Sequence, residues 1–139
     1  MGQVIARITL TNADDRAVHE RGFIQEADVR SHEMEVLVDT GAVLLALPQD
    51  VVEHLGLKER SRMTFVLADE NRLSLPVAGP VFVEVLGREM VTNCVVLSPA
   101  SQALLGQVVL ESLDLICDCY QQKLTVRPES PLRPMLNLK

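Results

Sequence analysis

The stretch VLVDTGAVLL, residues 36–45, decides how the rest of the chain is interpreted. Three apolar residues end in an acid, a small hydroxyl residue and a glycine, after which apolar residues resume. A carboxylate in such surroundings is costly to desolvate unless it has partners. Asp39-Thr40-Gly41 is therefore either a turn between two core strands or a site at which the carboxylate is used.

Composition predicts one globular domain that does not bind nucleic acid or an anionic membrane surface. The chain has 139 residues, of which 47% are apolar and 23% charged, and this excludes a disordered or low-complexity segment. Thirteen basic residues against nineteen acidic ones give a net charge of −6 without a cluster of Lys and Arg. This balance argues against nucleic acid or an anionic membrane surface as a partner.

Neither a membrane segment nor a secretion signal is expected. The longest apolar run, residues 42–48, is far shorter than the roughly 20 residues that a membrane helix needs. Residues 1–4 lead straight into an alternating segment, without the basic and apolar regions of a signal peptide. We therefore expect a cytoplasmic protein.

The cysteines predict reduced thiols. Cys94, Cys117 and Cys119 are odd in number, and two of them are only two residues apart, which is a poor disulfide framework. The histidines are scattered and form no second ligand pair, so neither a metal nor a cofactor is expected. A thiol or metal protein built on Cys117 and Cys119 is one further interpretation.

Apolar residues that recur with period two predict half-buried strands along most of the chain. Because these strands are short and evenly spaced, they favour a mostly β fold, a closed or nearly closed barrel with one or two short helices. The predicted strands cover residues 3–11, 35–38, 62–67, 72–77, 81–86, 92–97, 115–120 and 123–126, with turns at 69–71, 78–80, 87–88 and 121–122. The helices are predicted from Pro48 to Gly56 and from Gln107 to Leu113, and residues 128–139 form a Pro-rich extended tail.

A second short motif, Leu104-Leu105-Gly106, is again an apolar pair that ends in glycine before a predicted helix. Together with Leu37 to Ala42, it resembles the retropepsin-like aspartic peptidases, the single-domain relatives of pepsin. The family's hallmark is apolar-apolar-Asp-Thr/Ser-Gly-Ala followed, after a flap hairpin, by apolar-apolar-Gly and a helix. The resemblance covers about residues 34–126 and implies an acid-protease-like barrel over residues 1–127.

The resemblance also implies an activity, aspartic endopeptidase, with peptides or proteins as substrates. In this family two aspartates share one proton and activate the water held between them. Asp39 would be the catalytic residue, and Thr40, Gly41 and Ala42 would complete its loop. Because the chain has one Asp-Thr-Gly, a homodimer must supply the second carboxylate.

Residues 63–75 are predicted to form the hairpin that serves as the family's flap. Ala68, Asp69 and Glu70 at its tip would then contact substrate, although an ordinary surface hairpin would give the same pattern. The tip lacks the glycines that make viral flaps mobile, which leaves its mode of closure open.

The chain departs from the viral members at two positions. Val43 stands where they have an acid, and Gln107 stands where they have the arginine that pairs with it. Both members of the pair are replaced together, so no charge is left without its partner. Val43 is expected to alter substrate binding. The alternative to a peptidase is a dimeric β-barrel binding module of the same fold with weak or no turnover.

Overall fold

The fold, obtained as a computed structural model that describes residues 3–138, is mostly β with three short α-helices and one turn of 3₁₀ helix at Glu26–Asp28. Its nine strands are β1 (Ile5–Asn12), β2 (Ser31–Val38), β3 (Ala46–Pro48), β4 (Lys58–Val66), β5 (Arg72–Val85), β6 (Arg88–Leu97), β7 (Leu104–Leu105), β8 (Leu115–Asp118) and β9 (Lys123–Val126). The helices are α1 (Ala13–Glu20), α2 (Gln49–His54) and α3 (Gln107–Ser112).

Six strands close into a barrel. They follow the order β1-β2-β7-β3-β6-β5, and the ring closes because β1 also pairs with β5, where Thr9 lies opposite Glu84. Strand β4 pairs with β5 outside this ring, and β8 and β9 form a separate two-stranded sheet. The prediction of a mostly β, closed barrel is confirmed.

The barrel closes around the residues that the period-two pattern assigns to its interior. Along β1, Ala6, Ile8 and Leu10 are buried, whereas Ile5 and Arg7 face outward. Removing such apolar side chains from water is the main force that favours the folded state. The largest fully buried side chains are Ile8, Leu10, Leu45, Leu47, Leu55 and Leu105.

The prediction of one or two helices is wrong in number, because the structure contains a further helix, α1. Its eight residues include only three apolar ones, Ala13, Ala17 and Val18, and none of them is buried, so its sequence carries too short an apolar pattern to predict a helix. It begins because the Asn12 side chain accepts a hydrogen bond from the backbone N–H of Asp15 at 3.0 Å, an N-cap. The two helices that were predicted are confirmed, α2 beginning one residue after Pro48.

The turn predicted at residues 78–80 is wrong, because β5 continues through it. The pairing register between β5 and β6 shifts between Ala78 and Val81, which marks a bulge in a long strand. Pro80 is accommodated there, since proline within a sheet is confined to edges and bulges. The other predicted turns fall between strands or at their ends.

The chain after β9 is attached to the rest of the fold through Ser130 and Met135, whose side-chain hydroxyl and backbone N–H both donate to Asp114. Ser130 is buried, and its backbone carbonyl accepts a hydrogen bond from Arg88. Beyond it, Leu132, Leu136 and Leu138 are exposed. A domain boundary at residue 127 stays a prediction.

None of the helices formed by residues 3–138 has the length and apolar character needed to cross a bilayer.

Candidate active site

Asp39 directly follows β2 and starts a tight loop. Its backbone N–H donates to the carbonyl of Leu105 at 3.0 Å, and its own carbonyl accepts from the N–H of Ala42 at 3.1 Å. The N–H of Gly41 donates to Asp39 Oδ1 at 2.9 Å. The backbone and one carboxylate oxygen are thus held by hydrogen bonds to fixed amides, which orients the carboxyl group.

The fold brings the two sequence motifs together. Strands β2 and β7 run parallel, with Leu37 opposite Leu104 and Val38 opposite Leu105. Strand β7 also pairs with β3 on its other side, where Leu104 lies opposite Ala46. The short strand Leu104–Leu105 is therefore the piece of sheet on which the Asp39 loop rests.

Gly106 allows the two motifs to approach each other. A Cβ atom at this position would lie 2.5 Å from the carbonyl oxygen of Leu44 and 2.8 Å from the carbonyl carbon of Val43. Both contacts are with backbone, which cannot move aside as a flexible side chain would. Glycine is required here by close packing, because its φ of −93° is accessible to any residue.

The first turn of α3 then binds the second half of the loop. The N–H groups of Gln107 and Val108 donate to the carbonyls of Ala42 and Val43 at 2.8 and 2.9 Å. These amides are among those that a helix leaves without intrahelical partners at its N-terminus. The loop is consequently fixed at both ends, by β7 and by α3.

The loop lies at the protein surface. Asp39 is half-buried, whereas Thr40 and Gly41 are exposed and Val43 is 64% exposed. Within residues 3–138, neither Asp39 Oδ2 nor the Thr40 hydroxyl makes a hydrogen bond. One carboxylate oxygen is therefore positioned, and the other is available to a water molecule, a substrate carbonyl or a second carboxyl group.

The other aspartates have structural tasks. Asp14 and Asp15 pair with Arg60 and Arg30, and Asp114 holds the C-terminal tail. The remaining four each accept hydrogen bonds from nearby backbone N–H groups: Asp28, Asp50, Asp69 and Asp118. Asp39 stands apart in its sequence frame and in its contact with the second motif.

The predicted hairpin is formed by β4 and β5, with residues 67–71 as its tip. Ala68, Asp69 and Glu70 are all exposed, and the hydrogen bonds at the tip stay within it, such as Glu70 N–H to the Leu67 carbonyl at 2.9 Å. Among the described residues, no hydrogen bond joins the tip to the Asp39 loop. Substrate contact by these three residues stays a prediction.

One face of this hairpin is apolar. Phe65 lies opposite Leu73 and Met63 opposite Leu75, so these side chains share one side of the two-stranded ribbon. Met63 is 42% and Leu73 43% exposed. The opposite side carries polar pairs such as Thr64 with Ser74. Phe65 and Leu75 are half-buried, so this side of the ribbon leaves part of its apolar surface in contact with solvent.

The two departures from the viral pattern lie where the sequence predicts, beside the loop. Val43 projects into solvent, and the side chain of Gln107 donates to Glu111 Oε1 at 3.0 Å along α3. Neither residue is charged, so no ion pair joins the loop to the helix at these positions. The loop is instead held by the backbone hydrogen bonds described above.

Sequence interpretation missed two residues that support the site. The carbonyl of Val4 accepts from the N–H of Val38 at 2.8 Å, directly before Asp39, and this contact cannot be found from periodicity. Arg88 is buried beneath the end of α3, where it donates to the carbonyls of Leu113 and Asp114. No sequence pattern predicts this burial, because Arg88 falls in the turn predicted at residues 87–88 and arginine is rarely buried without partners.

Within residues 3–138, no group of three or more His, Cys, Asp or Glu side chains is arranged to hold a metal ion. Neither a scan of protein-family models nor a search of curated proteins finds a match to this chain.

Proposed function

We propose that this protein is an aspartic endopeptidase that acts as a homodimer, with Asp39 of each copy supplying one catalytic carboxyl group. The observation that carries the proposal is the geometry of the Asp39 loop. Gly41 orients the carboxylate at 2.9 Å, the loop rests on Leu104–Leu105, and Oδ2 is free to act on a water or a carbonyl.

Peptide hydrolysis of this type needs two carboxyl groups in different protonation states. One, ionised, takes a proton from the attacking water, and the other, protonated, donates a hydrogen bond to the scissile carbonyl. Two close carboxylates cannot both ionise cheaply, so the pair retains one proton. A two-fold axis beside Asp39 would supply both groups from identical loops.

The surroundings of the loop support this assignment of roles. Thr40 is exposed beside Asp39, where its hydroxyl would reach the partner's loop across the axis. The apolar side of the β4–β5 hairpin would cover an extended substrate. Val43, exposed and uncharged, would contribute an apolar contact in place of an acidic one.

The test is cleavage of an unfolded protein by the purified chain, with and without a statine-type mimic of the tetrahedral intermediate. The parent should cleave, with a rate that falls as the pH rises above neutrality, because one carboxyl group must stay protonated. The mimic should inhibit it. Asp39→Asn should keep the fold but lose cleavage, since the amide can neither take nor share the proton.

Three outcomes would contradict the proposal. They are a rate that still rises between about pH 7 and 9, Asp39→Asn activity within about tenfold of the parent, and absence of cleavage with retained binding of unfolded protein. The last outcome would favour the binding module of the same fold.

A further inference from the structure

The β8–β9 hairpin, which follows α3 in the chain, carries two cysteine sulfur atoms. The proposed peptidase chemistry does not use them. Cys117 lies in β8 and Cys119 follows its end, and their Sγ atoms are 4.0 Å apart. Both cysteines are free thiols in the structure. We propose that Cys117 and Cys119 form a reversible disulfide by exchange with a small disulfide such as oxidised glutathione.

The 4.0 Å separation of the two Sγ atoms permits bond formation after a local adjustment. A disulfide has its sulfurs about 2 Å apart and its Cα atoms up to about 6.8 Å apart. Two residues of an extended strand are separated by about that limit, roughly 6.6–6.8 Å. The chain leaves the strand between the two cysteines, since the Asp118 carboxylate accepts from the N–H groups of Tyr120 and Gln121 in a turn. A change of side-chain rotamer in a turn can close the remaining gap.

The two thiols differ in their access to solvent, which sets the order in which they react. Cys119 is exposed and accessible to a disulfide reagent, whereas Cys117 is half-buried against the core. Burial and the adjacent Cys119 sulfur raise the pKa of the Cys117 thiol. Cys119 is therefore the residue that attacks first, and Cys117 is the residue that resolves the adduct.

The exchange balances in two steps. The Cys119 thiolate attacks one sulfur of oxidised glutathione, forms a mixed disulfide and releases one reduced glutathione. Cys117 then loses its proton to solvent and attacks the Cys119 sulfur, which releases the second glutathione. The two protein thiols are oxidised, and one glutathione disulfide is reduced to two thiols. Because a ring this small is strained, excess reduced glutathione should reverse the reaction.

The third cysteine serves as an internal control. Cys94 is fully buried, and burial raises its thiol pKa to about 12. It should react neither with glutathione nor with an alkylating reagent until the protein is unfolded. Cleavage after glutamate separates it from the pair, because Glu111 lies between Cys94 and Cys117.

The experiment treats the full chain with oxidised glutathione, alkylates it in denaturant and measures the masses of the glutamate-specific peptides. The peptide of residues 112–129 should be two hydrogens lighter and unalkylated, and it should regain both thiols in reduced glutathione. In Cys117→Ser, the glutathione adduct on Cys119 should be about tenfold more abundant than in the parent, because nothing displaces it. In Cys119→Ser, Cys117 should remain largely unmodified.

A parent that keeps a stable glutathione adduct on Cys119 would overturn the proposal. So would a pair that stays fully alkylatable, or a disulfide that joins two chains. These readouts do not depend on peptidase activity, so they can fail or succeed whether or not the protein cleaves peptides.

Discussion

Gly106 allows close packing in the candidate site because it has no side chain. The loop that carries Asp39 and the first turn of α3 approach so closely that a Cβ atom at position 106 would meet the backbone of Leu44 at 2.5 Å. We expect Gly106→Ala to lower the free energy of unfolding by about 3 kcal/mol, the upper end of the usual cost of overpacking. Urea unfolding followed by circular dichroism would measure it.

Gly87→Ala is the matched control for that prediction. Gly87 has a φ of +78° but open space around it. Alanine there should lower the free energy of unfolding only by the backbone cost of the left-handed region, about 1 kcal/mol. If Gly106→Ala costs no more than Gly87→Ala, the close approach of the two motifs in the structure is wrong.

Asp114 is expected to make a contribution to the free energy of unfolding that is lost at acidic pH. Its carboxylate accepts from the Ser130 hydroxyl at 2.5 Å and the Met135 N–H at 3.1 Å, and it pairs with Arg127 at 2.8 Å. These donors, Ser130 foremost, lower the pKa of Asp114 to about 2. The group thus binds fewer protons folded than unfolded, and it stabilises the fold above about pH 4, the ordinary range of an unfolded aspartate.

The corresponding measurement compares the parent with Asp114→Asn by urea unfolding across acidic pH. The difference in unfolding free energy should be full above about pH 4 and disappear as the pH falls through about 2. Ser130→Ala removes the leading donor, so it should reduce this pH dependence. A difference between parent and Asp114→Asn that is constant over the whole range would contradict the role of the carboxylate.

Among the elements, the β4–β5 hairpin offers a direct comparison of two faces. We expect Leu73→Ser, on the apolar side, to raise KM for a peptide substrate about tenfold, because the exposed leucine would otherwise cover the bound chain. Val66→Ser lies on the opposite side, where the residue is 68% exposed, and should leave KM unchanged. Steady-state hydrolysis of a labelled peptide would measure both variants.

Neither substitution should change the free energy of unfolding by much, because both side chains are already exposed. Equal effects of the two variants on KM would show that the apolar side of the hairpin has no special contact with substrate. A large loss of stability in Leu73→Ser alone would mean that this face packs within the protein.

The sequence predicts an element well when its buried residues recur at one regular spacing, such as every second residue of a strand. Strand β1 alternates cleanly, and Asp39 interrupts an apolar run, so both could be predicted from local pattern. Helix α1 could not, because it buries nothing and depends on the Asn12 cap. The contact of Gly106 with Leu44 also escaped prediction, since it joins segments far apart in sequence and only the folded backbone defines it.

At the scale of the whole molecule, closure of the barrel determines where the candidate site lies. Strand β1 pairs with both β2 and β5, so the sheet has no free edge at this seam. The Asp39 loop projects from the end of β2, with Thr40 and Gly41 facing solvent. One chain offers one such loop, and an enzyme that needs two must bring a second copy against this surface.

Thr40 provides a test of that assembly that needs no substrate. In a dimer with its axis beside Asp39, the Thr40 hydroxyl would be buried and would donate to the backbone of the opposite chain. Thr40→Val keeps the shape but removes the donor, and an acceptor left unpaired costs about 1–3 kcal/mol. Because symmetry applies this loss twice, the dissociation constant should rise roughly 30-fold or more, at about 1.4 kcal/mol per tenfold. Thr40→Ser retains the hydroxyl and should stay close to the parent in sedimentation over a dilution series. A parent that is monomeric at high micromolar concentration, or Val and Ser variants that behave alike, would rule out an active site shared across the axis.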